Sequence, residues 1–164
     1  LRTGVVAAWR NAATDAGVTD LDAVPWLPPV ERDLGIVGEE RLVDHVRDVT
    51  ACARALAATL ADRRGADMDR DLLVAGAVFH DVSKLAEFDG HESTPVYDLL
   101  GHPYYGVHLV AGAGLPVELA HVVLSHTHRT TVEPAFLEAA LVRRADEVAA
   151  TAIRAGAVDD LRDA

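Results

Sequence analysis

The stretch Ala75-Gly-Ala-Val-Phe-His80-Asp81-Val-Ser-Lys84-Leu85 sets the fold of this chain. It is an apolar run that ends in a histidine and an aspartate, with a lysine three residues after the aspartate. A helix that is apolar nearly all round is typical of the buried centre of a bundle. We therefore expect its polar end to point into a protected cavity, where imidazole and carboxylate groups can bind metal. Lys84 is the only lysine in the sequence.

The composition predicts a single helical domain. The chain has 164 residues, of which 50% are hydrophobic and only 5% are aromatic. This length supports one core, and the abundance of Ala, Val and Leu favours helices that pack through small side chains. We predict one domain over residues 1–164, with an N-terminal helix and a proline-rich connector over 1–30 and a metal-binding helical core over 38–155. Trp26 and Leu27 in the connector are expected to pack against the body as buried plugs.

Apolar periodicity predicts an all-α bundle of about six helices. The clearest pattern is a stripe at steps of three and four along the second helix. Asp67 or Asp69 can cap the central helix, and prolines stand near the starts of the last three. Val148 is assigned to the core face of the final helix. The predicted helices cover residues 3–16, 39–64, 72–79 together with the residues after the cap, 103–113, 116–126 and 134–155.

The segment over 85–101 is predicted to be an irregular loop. It is polar, contains Gly90 and Pro95, and directly follows the His-Asp pair. Such a position suits a lid or a substrate-selecting segment. No strand pattern appears anywhere in the sequence.

Charge and apolar content exclude several classes of partner. The formal net charge of −11 opposes binding to nucleic acid, which relies on Lys and Arg at the phosphates. The longest apolar run is too short to span a membrane, and the start lacks a signal-peptide layout. With Cys52 as its only cysteine, the chain is expected to be cytoplasmic. A homodimer stays open, because the first helix with Trp9 can pack on its own core or on a second copy.

Six metal-capable side chains fall at predicted helix ends or on inward helix faces. Imidazole and carboxylate together suit Mn, Fe, Co, Ni or Zn, whereas a single cysteine excludes a sulfur-rich structural zinc site. Four histidines and two aspartates exceed the needs of one tetrahedral metal and suit two octahedral divalent ions bridged by a carboxylate and water. Asp81 is the expected bridge, since His80 is committed to one metal. The six predicted metal ligands are His45, His80, Asp81, His102, His126 and Asp146.

The order and surroundings of these residues resemble the HD superfamily of metal-dependent phosphohydrolases. In that superfamily a His, a His-Asp pair and a later Asp bind metal on a helical bundle. The extra pair, His102 and His126, matches the branch with two metals, and the resemblance implies a dinuclear centre. It covers about residues 38–155 and rests on five ordered segments, namely His45, 77–84, 102–116, 122–126 and 144–149.

The chain departs from the superfamily pattern at one position before the lysine. Ser83 stands where glycine is more usual, which puts the local loop geometry in question but not the reach of Lys84. The chain also lacks a GYP-type motif, which counts against a cyclic dinucleotide phosphodiesterase of that branch.

The resemblance implies hydrolysis of a small phosphate ester, either a nucleotide or a phosphorylated metabolite. A water or hydroxide bridging two divalent metals would attack phosphorus. Asp81 and Lys84 are the expected catalytic residues, the first positioning the nucleophile and the second stabilising developing charge. Lys84, His128 and Arg129 are the expected substrate-binding residues.

Two alternative functions stay open. The same superfamily includes di-iron oxygenases, resembling the inositol- and phosphonate-cleaving enzymes, which use the same four histidines and two aspartates. The other alternative is a non-catalytic metal-binding regulatory module that uses the bundle as a scaffold. Loss of ligands would mark that state, and none of the six is missing.

Overall fold

The computed structural model describes residues 1–27, 40–90, 92–156 and 160, and it shows an all-α bundle. Two 3₁₀ helices, Leu21–Ala23 and Val82–Ala86, and one small hairpin accompany the α-helices. The hairpin pairs β1 (Phe88–Asp89) with β2 (Glu92–Ser93) in antiparallel register. The α-helices are α1 (Arg2–Asp15), α2 (Leu42–Arg64), α3 (Arg70–Phe79), α4 (Pro95–Leu99), α5 (Gly101–Gly112), α6 (Val117–Ser125) and α7 (Leu137–Ala155).

Helix α3 is the buried centre of the bundle, as its apolar sequence predicts. Its start is capped by Asp69, whose side chain accepts the backbone N–H of Leu72. It packs against α1, α2, α6 and α7, and Ala77 and Phe79 on it are fully buried. A helix packed between four others carries its C-terminal residues into the interior, so the His-Asp pair is placed inside the molecule.

Two glycines let the helices approach closely enough to bring their ends together. A Cβ on Gly76 would lie 2.7 Å from Cγ1 of Val122, at the contact of α3 with α6. A Cβ on Gly106 would lie 2.5 Å from Cγ1 of Val123, at the contact of α5 with α6. Neither contact tolerates a methyl group without movement, since β-branched side chains in a helix are stiff.

The connector after α1 turns back onto the bundle and delivers two buried side chains. Its backbone pairs with the chain before α2, where Trp26 N donates to Glu40 O at 3.0 Å and Leu42 N to Val24 O at 2.9 Å. Trp26 and Leu27 are each only 5% exposed, which confirms their prediction as buried plugs. The rest of the predicted connector, over 28–30, lies outside the described residues.

The helix boundaries and one strand prediction need correction. Helix α5 begins at Gly101, so His102 lies inside it and not before it. Helix α7 begins at Leu137, not at residue 134, and the predicted start of α2 at 39 falls outside the described residues. The prediction that the chain has no strands was wrong, because the segment over 85–101 contains the hairpin. The same segment also contains helix α4. The division into 1–30 and 38–155 stays a prediction.

One core assignment was also wrong, and Trp9 shows where the first helix packs. Val148 is 59% exposed, while Ala145 and Ala149 on the same helix are buried. The indole N–H of Trp9 donates to the carbonyl of Val78 at 3.1 Å, which docks α1 on α3 of its own chain. In the described ranges, no helix combines the length and the apolar content needed to cross a membrane.

Candidate metal centre

Asp81 lies at the centre of the predicted cluster and faces four imidazoles. Its Oδ2 is 3.6 Å from Nε2 of His45 and 3.5 Å from Nε2 of His80. Its Oδ1 is 3.4 Å from Nε2 of His102 and 3.6 Å from Nε2 of His126. The two oxygens of one carboxylate therefore face two different histidine pairs.

Asp146 belongs to one side of this arrangement. Its Oδ1 is 2.9 Å from Nε2 of His45 and 3.7 Å from Nε2 of His80. We call His45, His80, Asp146 and the Oδ2 side of Asp81 the first half-site. We call His102, His126 and the Oδ1 side of Asp81 the second half-site. All six residues predicted from the sequence are thus brought together.

Helix ends supply most of these side chains. His80 and His126 are the C-cap residues of α3 and α6, and Asp81 follows His80 directly. His45 and His102 lie in the first turns of α2 and α5. Helix ends present side chains without blocking one another, so ends that meet in the interior make a pocket of donors.

Hydrogen bonds at the second ring nitrogen orient the histidines. Nδ1 of His80 lies 2.8 Å from the carbonyl of Ala77, and Nδ1 of His126 lies 2.6 Å from the carbonyl of Val123. A carbonyl only accepts, so each Nδ1 carries a proton, and Nε2 is the nitrogen that can present a lone pair to a metal at the centre. This is the tautomer that a metal-binding imidazole requires.

An unsatisfied nitrogen supports the fit of a metal. Nε2 of His80 is buried and has no hydrogen-bond partner among the described residues, as is also true of Nδ1 of His45. A buried polar atom without a partner is unfavourable. A lone pair beside carboxylates is satisfied by a cation. Donor atoms of His45, His80 and Asp81 lie within 4.8 Å of one another, as do those of Asp81, His102 and His126. The donor set fits divalent transition metals.

The carboxylates keep their negative charge in this buried setting. Burial would raise the pKa of Asp81, but the charge of Lys84, the charge of His80 and imidazole hydrogen bonds hold that pKa well below its usual value. Burial acts likewise on Asp146, whose pKa is nevertheless lowered, chiefly by the hydrogen bond with His45. The site therefore holds two anions across the neutral range, which is the charge a divalent cation needs.

The imidazoles respond to the same surroundings in different directions. Burial lowers the pKa of His102 to about 4, against the opposing effects of Glu87 and Asp81, and it also lowers the pKa of His45. Burial would lower the pKa of His80 too, but the negative charges of Asp81 and Asp146 raise it. His45 and His102 are thus already neutral near pH 7, as ligands must be.

Lys84 and Trp26 cover the Oδ2 side of Asp81. Nζ of Lys84 lies 3.4 Å from Oδ2 of Asp81 and donates to the carbonyl of Trp26 at 3.4 Å. The indole N–H of Trp26 donates to the same Oδ2 at 3.3 Å, and its ring stacks on His45 with centroids 4.2 Å apart. These contacts shield the first half-site from solvent, and His45 and His80 are fully buried.

A cavity of about 400 Å³ opens onto the other side of the centre. His102, His126, Asp81 and Asp146 line it, but His45 and His80 do not. The three residues predicted to bind substrate, Lys84, His128 and Arg129, all line this cavity, the last two at exposed positions. The centre is therefore reached through this cavity, which exposes His102 and His126 of the second half-site and Asp146 of the first.

The predicted role of the loop over 85–101 is not supported by the position of its residues. None of its described members lines the cavity, whose walls come from residues 26–27, 127–129 and 147–154 as well as from the centre itself. Leu85, Glu87, Phe88 and Gly90 line a different cavity, together with the turn that follows α1.

Sequence reasoning missed three residues that contact the centre. Trp26 was assigned only to packing, yet it touches Asp81 and His45. Glu87 and Ser83 both hydrogen-bond to His102. The departure from glycine at position 83 was the one signal that pointed to any of them.

Comparison with known proteins agrees with this geometry. A family model described as the HD domain matches residues 42–151. The chain is 30% identical over 154 residues to a dihydroneopterin 2',3'-cyclic phosphate phosphodiesterase of Methanocaldococcus jannaschii. The match covers 90% of this chain but only 61% of the length of that relative. No solved structure matches the chain.

Proposed function

Because this chain belongs to the HD-domain family, we propose that it is a metal-dependent phosphohydrolase acting on a small phosphate ester. The main observation in support is that the two oxygens of one buried carboxylate face two different histidine pairs. Asp81 turns Oδ2 toward the first half-site and Oδ1 toward the second. A single-metal site would leave one of these pairs without a role.

The proposed ligands fit two divalent ions, from among Fe, Mn, Co, Ni and Zn. The first half-site offers His45, His80 and Asp146, the second offers His102 and His126, and Asp81 serves both. Ions bound there would lower the pKa of a bound water and neutralise charge on the phosphate. The identity of the ions is set by availability as well as by affinity.

The chain's own residues prepare the site for an anionic substrate. Trp26 keeps solvent away from the first half-site and donates to Asp81. Lys84 reaches the same carboxylate with a side chain that is 14% exposed, and it also lines the cavity, where its ammonium can donate to a phosphate oxygen. Arg129 and His128, exposed at the mouth, are placed to bind the phosphate as it enters.

Local positive charge supports a phosphate ester as the substrate. The chain carries a formal net charge of −11, which repels anions in general. The cavity nevertheless has three cations in its walls, Lys84, Arg129 and Arg154, which balance the three anions Asp81, Asp146 and Glu147. Divalent metals bound at the centre would make the cavity positive. A nucleotide or a phosphorylated metabolite suits this cavity, and the name of the relative makes a 2',3'-cyclic phosphate the first substrate to test.

The test is turnover by protein with defined metal content. Metal-free protein would be loaded separately with Mn, Co, Ni or Fe(II), the last under nitrogen, and assayed on cyclic phosphates, nucleotides and phosphorylated sugars. We expect metal-dependent hydrolysis that is abolished in Asp81→Ala, with the helical circular dichroism retained. Full metal loading without hydrolysis of any phosphate ester would overturn the proposal.

The same preparation separates the two alternative functions. A di-iron oxygenase would consume oxygen in the presence of its substrate and show a mixed-valence signal by Mössbauer spectroscopy. A regulatory module would bind metal but show neither hydrolysis nor oxygen consumption.

A further inference from the structure

We propose that Glu87 is a positioning residue that sets the metal occupancy of the second half-site through His102. The inference rests on the proposed function in one respect, that the second half-site binds a metal. It goes beyond the six ligands, because Glu87 is a buried carboxylate outside the set, only 2% exposed.

Glu87 holds His102 at two atoms. Oε1 of Glu87 accepts the backbone N–H of His102 at 2.7 Å and lies 3.3 Å from Nδ1 of its ring. Nδ1–H of the ring donates a hydrogen bond to this carboxylate, so that Nε2, which lies 3.4 Å from Oδ1 of Asp81, presents its lone pair to the second half-site. One oxygen thus caps the first turn of α5 and orients a ligand.

His102 depends on a distant residue, whereas two other ligands do not. Nδ1 of His80 and Nδ1 of His126 each meet a carbonyl three residues earlier on the same helix. His102 lies in the first turn of α5, and its partner comes from a separate segment, 15 residues earlier. Losing that partner therefore frees the His102 ring while the other rings stay oriented.

A second contact from the same segment holds the backbone of His102. Oγ of Ser83 donates to the carbonyl of His102 at 2.6 Å, and Ser83 is fully buried. Ser83 lies within the 3₁₀ helix that begins just after Asp81, and Glu87 is the C-cap residue of that helix. This short segment thus connects the shared carboxylate with one ligand of the second half-site.

The expected consequence is an unequal loss of metal. When a metal-binding imidazole donates its other ring N–H to a carboxylate, its metal-binding nitrogen becomes a better electron-pair donor. Removal of such a carboxylate weakens metal binding about 10–100-fold. The Glu87 carboxylate hydrogen-bonds to His102, a ligand of the second half-site. Glu87→Ala should therefore weaken the second half-site and spare the first.

Metal stoichiometry tests this, with two matched controls. Wild type, Glu87→Ala and Glu87→Gln would be equilibrated with buffered free Mn²⁺ or Co²⁺, and bound metal measured by elemental analysis. Glu138→Gln is the first control, since Glu138 is also buried and accepts a backbone N–H, that of Asp69, at 2.6 Å, away from the centre. Thr94→Val is the second, because it removes hydrogen bonds to the carbonyls of Ala86 and Glu87 without touching His102.

At a free concentration that gives wild type about two metals per chain, we expect about one in Glu87→Ala, following a 10–100-fold loss of affinity. Glu87→Gln keeps an acceptor without its charge and should fall between the two, which also covers the case in which the alanine variant folds poorly. Both controls should match wild type in stoichiometry. Equal metal content in wild type and both Glu87 variants would overturn the proposal.

A metal-free readout separates this inference from the proposed function. Two-dimensional ¹⁵N NMR of the metal-free protein reports the tautomer of each imidazole. We expect His102 to carry its proton on Nδ1 in wild type and to move toward the Nε2–H form in Glu87→Ala, while His80 and His126 are unchanged. If wild type binds no metal, the proposed function fails, but the NMR measurement still tests the role of Glu87. An unchanged His102 tautomer in Glu87→Ala would refute that role.

Discussion

At the scale of single residues, the two cations assigned to the substrate, Lys84 and Arg129, lie in different surroundings. Asp81 is enclosed by imidazoles, an indole N–H and an ammonium group. Lys84 contacts the same carboxylate and also lines the cavity, whereas Arg129 lies exposed at its mouth. The two cations should therefore affect different kinetic constants.

Lys84→Gln should lower kcat by about 10²-fold or more, because a fixed donor at developing charge is worth that much in a buried site. Arg129→Gln should chiefly raise KM, since an exposed cation assists capture of the anion more than the chemical step. Steady-state kinetics on whichever phosphate ester is turned over would measure both. Metal content should stay at the wild-type level, and a Lys84→Gln enzyme with normal kcat would remove the catalytic assignment.

The buried imidazole of His102 predicts a dependence of stability on pH. Its folded pKa is lowered from 6.5 to about 4, so between these values the unfolded chain binds a proton that the folded chain does not. The contribution is fully present above pH 6.5 and is lost as the pH falls toward 4, by about 3 kcal/mol in all. Urea unfolding of metal-free protein should show this decline, and His102→Gln should show a shallower one. Parallel curves for the two proteins would contradict the assignment.

The sequence predicts ligands better than it predicts their supports. His45, His80 and Asp146 are recognisable because helical periodicity and the order of metal-capable residues restrict where they point. Trp26 and Glu87 reach the centre only through tertiary packing of a connector and a turn. No local sequence pattern encodes such packing, so these two contacts are seen only in the folded structure.

At the scale of elements, the second half-site depends on the close approach of α5 and α6. Gly106 is the residue that permits it, since a Cβ there would lie 2.5 Å from Cγ1 of Val123 and 3.1 Å from Oγ of Ser83. Both neighbours are fully buried. A side chain at this position must displace one helix or the other.

Gly106→Ala should destabilise the protein by about 1–3 kcal/mol, which is typical of overpacking a buried contact. It should also weaken metal binding at the second half-site, because α5 carries His102 and α6 carries His126. Chemical denaturation and metal stoichiometry would measure the two effects. Gly112→Ala is the control on the same helix, since no neighbouring atom lies within 4 Å of a Cβ there; equal stability of both variants would contradict the argument.

Long periodic helices are predictable from sequence, and their ends are less so. The stripe that defines α2 and the apolar run of α3 are visible directly, and both helices form. The helix α5 was predicted to start at Pro103. It begins instead at Gly101, whose φ is 70°, and Pro103 lies in its first turn. The hairpin and α4 were missed because strands of two residues and a helix of five are too short to show a period.

At the scale of the whole molecule, the centre is assembled from most of the chain. Its contacts extend from Trp26 to Asp146, and the ligands lie on five separate helices or helix ends. An unfolded chain has no preformed site, so metal binding and folding are linked.

Saturating metal should therefore raise the thermal stability. A ligand present at 100 times its Kd and bound only by the folded state contributes about 2.7 kcal/mol. Calorimetry with and without added Mn²⁺ should show a rise in Tm that a chelator reverses. Asp81→Ala should show no such rise, whereas the exposed substitution Asp44→Ala should respond as wild type does. A wild-type Tm that does not change when metal is added would contradict the proposed metal site.

The stacking of Trp26 on His45 gives the protein an optical signal of its own. Of its two tryptophans, Trp26 has its ring centroid 4.2 Å from that of a proposed metal ligand. A paramagnetic ion on the imidazole would quench the emission of the neighbouring indole, and Trp9→Phe would leave Trp26 as the sole emitter. Filling of the first half-site would then be visible as a change of fluorescence, in real time and without any added label.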